Sequence, residues 1–406
     1  MQTQSHIDGG LALTARDPVF AERPHERLDR LRAANPVFQD RDFDRVVLTR
    51  AVDIATMMAD RTLSSDPFKG RLTTHGRRGL TEADRGRFSM LQMDDPDHTR
   101  LRGLVAQAFT ARAVKALQPR IEAICSDLLD RVDTDRPFDL IAAYAAPLPT
   151  LVIAAMLGVD EGDVEQFKRW SDDIVAVPTS DPSQDAQRRR GAAFAGIHGC
   201  IKDVLAVRRE CPRADLISAL ARAESEGESL SEAEIVSVAL LLLLAGNLTT
   251  TDLIGNGVVA LLRHPEQLAC LRSDHALWPD AVEEILRFDP PFTAVSRYTT
   301  HDRQIGNCPV EAGQTVTAML LAANHDPALH PEPHAFDIGR AHRKHYSFGG
   351  GAHFCLGASL ARLEACIALP ALFERFPQLC LASPHMLRRK NVPGFNGYKA
   401  VWLRAG

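Results

Sequence analysis

The sequence predicts a mainly α fold with small β-sheets, and three stretches carry that prediction. A capping box at Ser231–Glu234 opens a helical pattern that nothing stops until His264-Pro265, about 33 residues and roughly 50 Å long at ~1.5 Å per residue. Amphipathic helix fills 114 to 131, 138 to 157, 160 to 175, 185 to 208 and 213 to 225, broken by turns such as Pro178 to Pro182. A second apolar helix runs from Ala358 to Leu369, free of glycine and proline until Pro370.

Taken in order, the chain opens with a helix near His25 to Ala34, then strand-like pieces at Val37-Phe38 and Arg45 to Leu48 that make a small N-terminal sheet plausible. Residues 61 to 92 lose periodicity and read as a long loop, a length that in compact domains usually serves function. Asp94 to Arg102 places acids and a proline where a helix's first turn wants them. Strand returns at Ala294 to Arg297 and from Val310 to Ala323 around Gly313. Asn391 to Tyr398 has the turn chemistry of a hairpin tip.

Composition narrows the function. Across 406 residues, 45% are hydrophobic, enough for a large core, and the net charge of −5 carries no basic stripe for nucleic acid. Arg188 to Arg190 reads as a solvated helix face. The first 16 residues are polar rather than signal-like, and the longest apolar run, Val238 to Ala245, is too short to span a bilayer. Eight cysteines without a C-x-x-C pair fit reduced thiols, so a soluble cytoplasmic protein is expected. No linker or repeat divides the chain, which predicts one domain over 1–406 with a loose segment at 1–19.

The chemistry centres on Phe348-Gly349-Gly350-Gly351-Ala352-His353-Phe354-Cys355-Leu356-Gly357. Glycines let the backbone turn sharply and approach something flat and bulky. Cys355 precedes the apolar helix, where unpaired N–H groups and the helix dipole favour a thiolate, either nucleophile or metal ligand. The plain alternative is a structural cysteine. Six specified residues at fixed spacing, F-G-x-G-x-H-x-C-x-G, make a chance match on the order of one in 100,000. His98 and Arg102, four apart on one helix face, can hold a ligand carboxylate or simply lie at the surface. In the long helix, Ala245-Gly246 followed by Thr249, Thr250, Thr251 and Asp252 is either a surface for a flat ligand or a helix-packing notch.

The cysteine loop resembles, at every specified position, the signature of the haem-thiolate monooxygenases, the cytochrome P-450 family. Further resemblances follow in order: His98-x-x-x-Arg102, Ala245-Gly246-x-x-Thr249-Thr250, the Glu284-x-x-Arg287 pair with Arg340, and the strand around Arg297. The resemblance implies one triangular domain holding haem b between the long helix and the cysteine-loop helix, with Cys355 as axial ligand to iron. It implies cofactor contacts from Ala245, Gly246, Thr249, Ser347, Phe348, Gly349 and Gly357. His98, Arg102, Arg297 and His353 would grip the propionates, while Glu284, Arg287 and Arg340 fix the fold behind the loop.

Thr249 and Asp252 are then expected to be catalytic. Leu248 departs from the family, standing where its pattern has an acid, so proton delivery needs Asp252, a water oriented by Asn247, or solvent. Expected substrate contacts are Phe88, Leu241, Leu244, Ala245, Thr293, Ala294, Val295 and Phe395. The resemblance to bacterial members implies a monomer acting on a small apolar molecule and O2. Electrons would come from a ferredoxin and its NAD(P)H-dependent reductase, docking on Arg100, Arg112, Arg343, Lys344 and Arg362 unless these are ordinary surface. Two rivals stand: a peroxide-driven enzyme, and a haem protein that binds or senses a ligand without turnover.

Overall fold

The computed structural model describes residues 9–74, 77, 80, 89–160, 162–176, 183–213, 215–225, 230–341 and 344–405. Phe88, Arg343 and the turn at 178–182 lie outside them. Helix dominates, and the strands are short: β1 (Val37–Asp40), β2 (Arg45–Leu48), β3 (Phe138–Asp139), β4 (Ala294–Tyr298), β5 (Arg303–Ile305), β6 (Cys308–Val310), β7 (Thr315–Met319), β8 (Cys380–Leu381) and β9 (Trp402–Arg404). The chain forms two compact units of interleaved sequence: Met1–Asp94, Asn256–Cys355 and His385–Lys399 make the first, and the remainder makes the second.

In the first unit, a sheet of order β1-β2-β7-β4 is antiparallel except for the parallel β2/β7 pair. Side chains alternate between its faces. Val46, Leu48, Val316 and Ala318 join Ile54 and Met57 of the helix Ala51–Ala59 in one cluster. Val47 and Met319 join Leu28 and Leu31 of the helix Pro24–Ala34 in the other. β5 and β6 form a separate hairpin turning at Gly306. The tail expected as a hairpin tip does reverse, with Lys390 N–H donating to Gly397 O (2.8 Å) and Phe395 N–H to Val392 O (3.1 Å).

In the second unit, helices Asp97–Ala106, Gln118–Asp130, Pro147–Leu157, Val164–Ala176, Gln184–Glu210, Leu216–Ser225 and Ala358–Arg375 accompany a β3-β9-β8 sheet. The expected helix at 114 to 131 is two, Ala111–Ala116 and Gln118–Asp130, because Pro119 suits a first turn and breaks a longer run. The stretch from 138 begins as β3 and turns helical at Pro147 after a wide π-type turn. The helix after the cysteine loop continues through Pro370 to Arg375, its buried face carried on by Leu369, Leu372 and Phe373.

The long helix spans Glu232–Arg263, 32 residues. Its capping box is formed: Glu234 N–H donates to Ser231 Oγ (3.2 Å) and Ser231 N–H to Glu234 Oε2 (2.8 Å). Unlike the short apolar run, the whole helix is long and apolar enough to cross a bilayer by composition. Buried Asn247, Thr250, Thr251 and Asp252 mark it instead as a core helix with polar chemistry in its middle.

Candidate active site

The cysteine loop is shaped by backbone bonds: Gly349 N–H donates to Tyr346 O (2.8 Å) and Cys355 N–H to Phe348 O (2.9 Å). Gly349 and Gly351 both have left-handed backbones, φ 68° and 65°. The expectation that these glycines make room for a flat ligand needs correcting for two of them. A Cβ on Gly351 would lie 1.9 Å from the Met58 carbonyl, and one on Gly350 2.8 Å from the Met58 sulfur. They are small so that the loop can seat on the helix Ala51–Ala59. Cys355 is half-buried and stands two residues before Gly357, the N-cap of the helix Ala358–Arg375, which takes no side-chain cap. Those first N–H groups favour an anion ahead of them.

Behind the loop, Arg287 makes two bonds to Glu284 (2.7 and 2.8 Å), and Arg340 reaches the same carboxylate at 3.4 Å. Their remaining donors bond the carbonyls of Asn324, Pro331, Pro333 and Ala335, so a buried charge network fixes the meander from 324 to 340. Ser347, expected at the cofactor, donates to Leu286 O (2.6 Å) and accepts from Asn324 Nδ2 (2.8 Å), tying the loop to this network.

Two expected propionate ligands also lie in the first unit. Arg297, on β4, bonds only its neighbour's carbonyl, Ser296 O (2.8 Å), and no carboxylate stands within ion-pair distance among the described residues. Burial depresses its pKa, opposed by the charge of Asp94. His353 Nε2 lies 2.9 Å from Ser65 Oγ, while Ser64 pairs with Tyr298 beside Arg297. The Ser64-Ser65 segment thus links strand to loop, a connection hidden in the aperiodic 61 to 92 stretch. Asp94 bonds Ser64 Oγ, Ser65 N–H and Lys69; burial pushes its carboxyl up, but those partners outweigh it and hold it low.

Thr293 N–H donates to Gly394 O (2.8 Å), bringing Thr293 and Phe395 together, and Phe395 packs edge-on to Phe292. Ala294 and Val295 cannot line one wall jointly, as expected of them. Strand alternation sends Ala294 to the Leu28 cluster and Val295 to the Val316 cluster.

In the second unit, His98 is buried with its Nδ1 3.8 Å from Asp95, and half-buried Arg102 follows one turn later on the helix Asp97–Ala106. Arg100 of the expected docking patch pairs with Glu234. On the long helix, Thr249 Oγ donates to Ala245 O (2.7 Å), the back-bond expected of it. Leu241, Leu244, Ala245, Leu248 and Thr249 form a stripe at helical spacing that stays accessible while the flanking Leu242, Leu243, Asn247 and Thr250 are buried. A Cβ on half-buried Gly246 would lie 3.3 Å from Ile153, so its small size also serves packing against the helix Pro147–Leu157. Asn247 donates to Thr150 (2.6 Å) and Ser171 (2.9 Å), which holds its amide in the core instead of leaving it to orient water. Asp252 is fully buried.

These groups fit a haem. A half-buried arginine with no carboxylate partner among the described residues suits a propionate, a thiol ahead of an uncapped helix suits a metal ion, and an accessible stripe around Ala245 suits a macrocycle's face. The cytochrome P450 family model matches residues 46–386. Cytochrome P450 107B1 of Saccharopolyspora erythraea is 40% identical, covering 97% of this chain and 98% of that protein. The 6-deoxyerythronolide B hydroxylase of the same organism is 42% identical, covering 89% and 87%. The structure also resembles PksS, a cytochrome P450 of the bacillaene polyketide synthase of Bacillus subtilis, with a TM-score of 0.87 at 31% identity, covering 97% and 99%. Likeness of that extent settles kinship: this haem-b-binding monooxygenase belongs to the cytochrome P450 family.

Proposed function

We propose that this monooxygenase oxidises an apolar molecule of polyketide type, in the cytoplasm, as a single catalytic domain and a monomer. The observation that carries the substrate reading is the accessible stripe of Leu241, Leu244, Ala245 and Leu248, apolar except for Thr249. The names of a 6-deoxyerythronolide B hydroxylase and a polyketide-synthase P450 among its relatives support it. Thr293 and Phe395 supply further apolar contact. Bound haem supplies the activation of O2, drawing two electrons and two protons.

The residues around it have separable roles. Cys355 ligates the iron through its thiolate, and Phe348 and Gly349 shape the turn that presents it. Arg297, His353, His98 and Arg102 hold the propionates by charge-assisted bonds. Thr249 donates its hydroxyl hydrogen to the Ala245 carbonyl, so its oxygen is left to accept a hydrogen bond from a proton carrier at the open side of the helix, and it passes a proton on only by releasing that bond. Leu248 cannot carry one, and Asp252, three residues beyond Thr249, is the acid that recharges it. Electrons arrive from a ferredoxin through its reductase. Product formation from 6-deoxyerythronolide B with NAD(P)H, ferredoxin and reductase tests the reading. Equal or better yield from hydrogen peroxide alone would replace it with a peroxide-driven enzyme, and binding without product would replace it with a ligand-binding haem protein.

A further inference from the structure

Away from the haem residues, three histidines of the first unit gather where nothing in the monooxygenase reaction needs them. His25 opens the helix Pro24–Ala34, His325 ends the short helix Leu320–Asn324, and His334 lies in the meander. One nitrogen from each ring lies within 4.8 Å of the other two. The His25 and His325 rings are 3.9 Å apart, centroid to centroid, and His334 is 5.2 Å from one and 5.4 Å from the other. His325 is buried, and its Nδ1 faces the Leu321 carbonyl at 3.1 Å, which keeps the proton there and leaves the lone pair on Nε2. That Nε2, and the buried Nδ1 of His25, have no hydrogen-bond partner among the described residues. Buried polar nitrogens left unpaired are costly unless something else uses them.

We propose that His25, His325 and His334 bind one divalent transition-metal ion of the zinc type, with Asp29 supporting the site. Three neutral imidazoles are the ligand set such ions favour, with an open fourth position for water. Burial holds His25 down to about 4 and His325 well below the ordinary imidazole range, so neither ring carries a competing proton at neutral pH. Asp29 lies 2.7 Å from His334 Nε2, placing a negative charge beside the cation and orienting the ring, as carboxylates do around metal-binding histidines. Entry is open: Asp29 and His334 both line a surface cleft of about 700 Å³. The ion would staple the helix Pro24–Ala34 to the meander at His334, whose neighbours Pro333 and Ala335 already accept hydrogen bonds from Arg287.

The test uses the purified full-length holoenzyme, stripped of loosely held metal by a chelator that leaves the porphyrin iron in place, and equilibrium dialysis against Zn²⁺ read by elemental analysis. One zinc per chain is expected in the wild type, with a higher thermal unfolding temperature. The exposed His334→Ala should lose that zinc and its thermal shift, and Asp29→Asn should weaken binding about 10- to 100-fold. An unchanged carbon monoxide difference spectrum in each variant establishes that the fold survived. Equal zinc retention by wild type and both variants would overturn the site, as would wild type holding none at 100-fold excess; the trio would then be only a stack of neutral rings.

Discussion

At the scale of single residues, the cysteine and the arginine make the sharpest claims. Cys355→His should abolish the red-shifted Soret band of the ferrous carbon monoxide complex, while alanine at Cys125 or Cys200 leaves it intact, since burial pushes those thiols up to about 12 and about 11 and keeps them inert. Arg297→Ala removes a half-buried cation with no carboxylate partner among the described residues. Charge-assisted bonds worth about 1.5–3 kcal/mol should be lost, so haem should pass to apomyoglobin roughly ten times faster or more; an unchanged rate would mean that Arg297 holds no propionate. The relay rests on Asp252 standing in for the missing acid at Leu248. Asp252→Asn should lower product per NAD(P)H and raise the solvent isotope effect, positioned acid–base groups contributing about 10²- to 10⁴-fold. Untouched coupling in that variant, with improvement in Leu248→Glu, would show a relay working one member short.

Elements explain why some of this was legible in the sequence and some not. Caps, prolines and 3.6-residue periodicity act locally, so the capping box at Ser231 and the ends of the long helix were readable. Strand faces are set by partners distant in sequence, so the opposite destinations of Ala294 and Val295 needed the β4/β7 register. The same limit applies to glycine: a loop that must seat on Met58 and one that must admit a ligand have the same letters. Ser65 and Asp94 were illegible because aperiodic sequence gives no sign of which hydroxyl will meet which histidine. The Glu284–Arg287–Arg340 network, by contrast, was visible as a motif, and its burial gives it weight. Arg287→Ala leaves Glu284 buried and loses the bonds to Asn324, Pro333 and Ala335. A loss of about 3–5 kcal/mol is expected, read as a lower urea midpoint with poor haem retention; a stable, fully loaded Arg287→Ala protein would make the network dispensable.

For the molecule as a whole, stability should carry a pH dependence traceable to one buried acid that neither the reaction nor the signature motifs use. Glu364 lies on the core face of the helix Ala358–Arg375, 2% exposed, and its Oε2 has no partner among the described residues. Burial pushes its carboxyl up to about 8. In the unfolded chain the same group titrates near 4.5. Between these values the folded state keeps a proton that the unfolded state has released. Folding stability from this group therefore falls as pH rises through the window and levels off above about 8, with a limiting slope of about 1.4 kcal/mol per pH unit. Glutamine preserves shape and polarity but does not titrate. The stability advantage of Glu364→Gln over the wild type should thus widen from pH 6 to pH 8, measured as the difference in urea midpoints at matched haem content. A gap that stays constant across that range would mean Glu364 has found a counter-charge and is ionised in the folded protein.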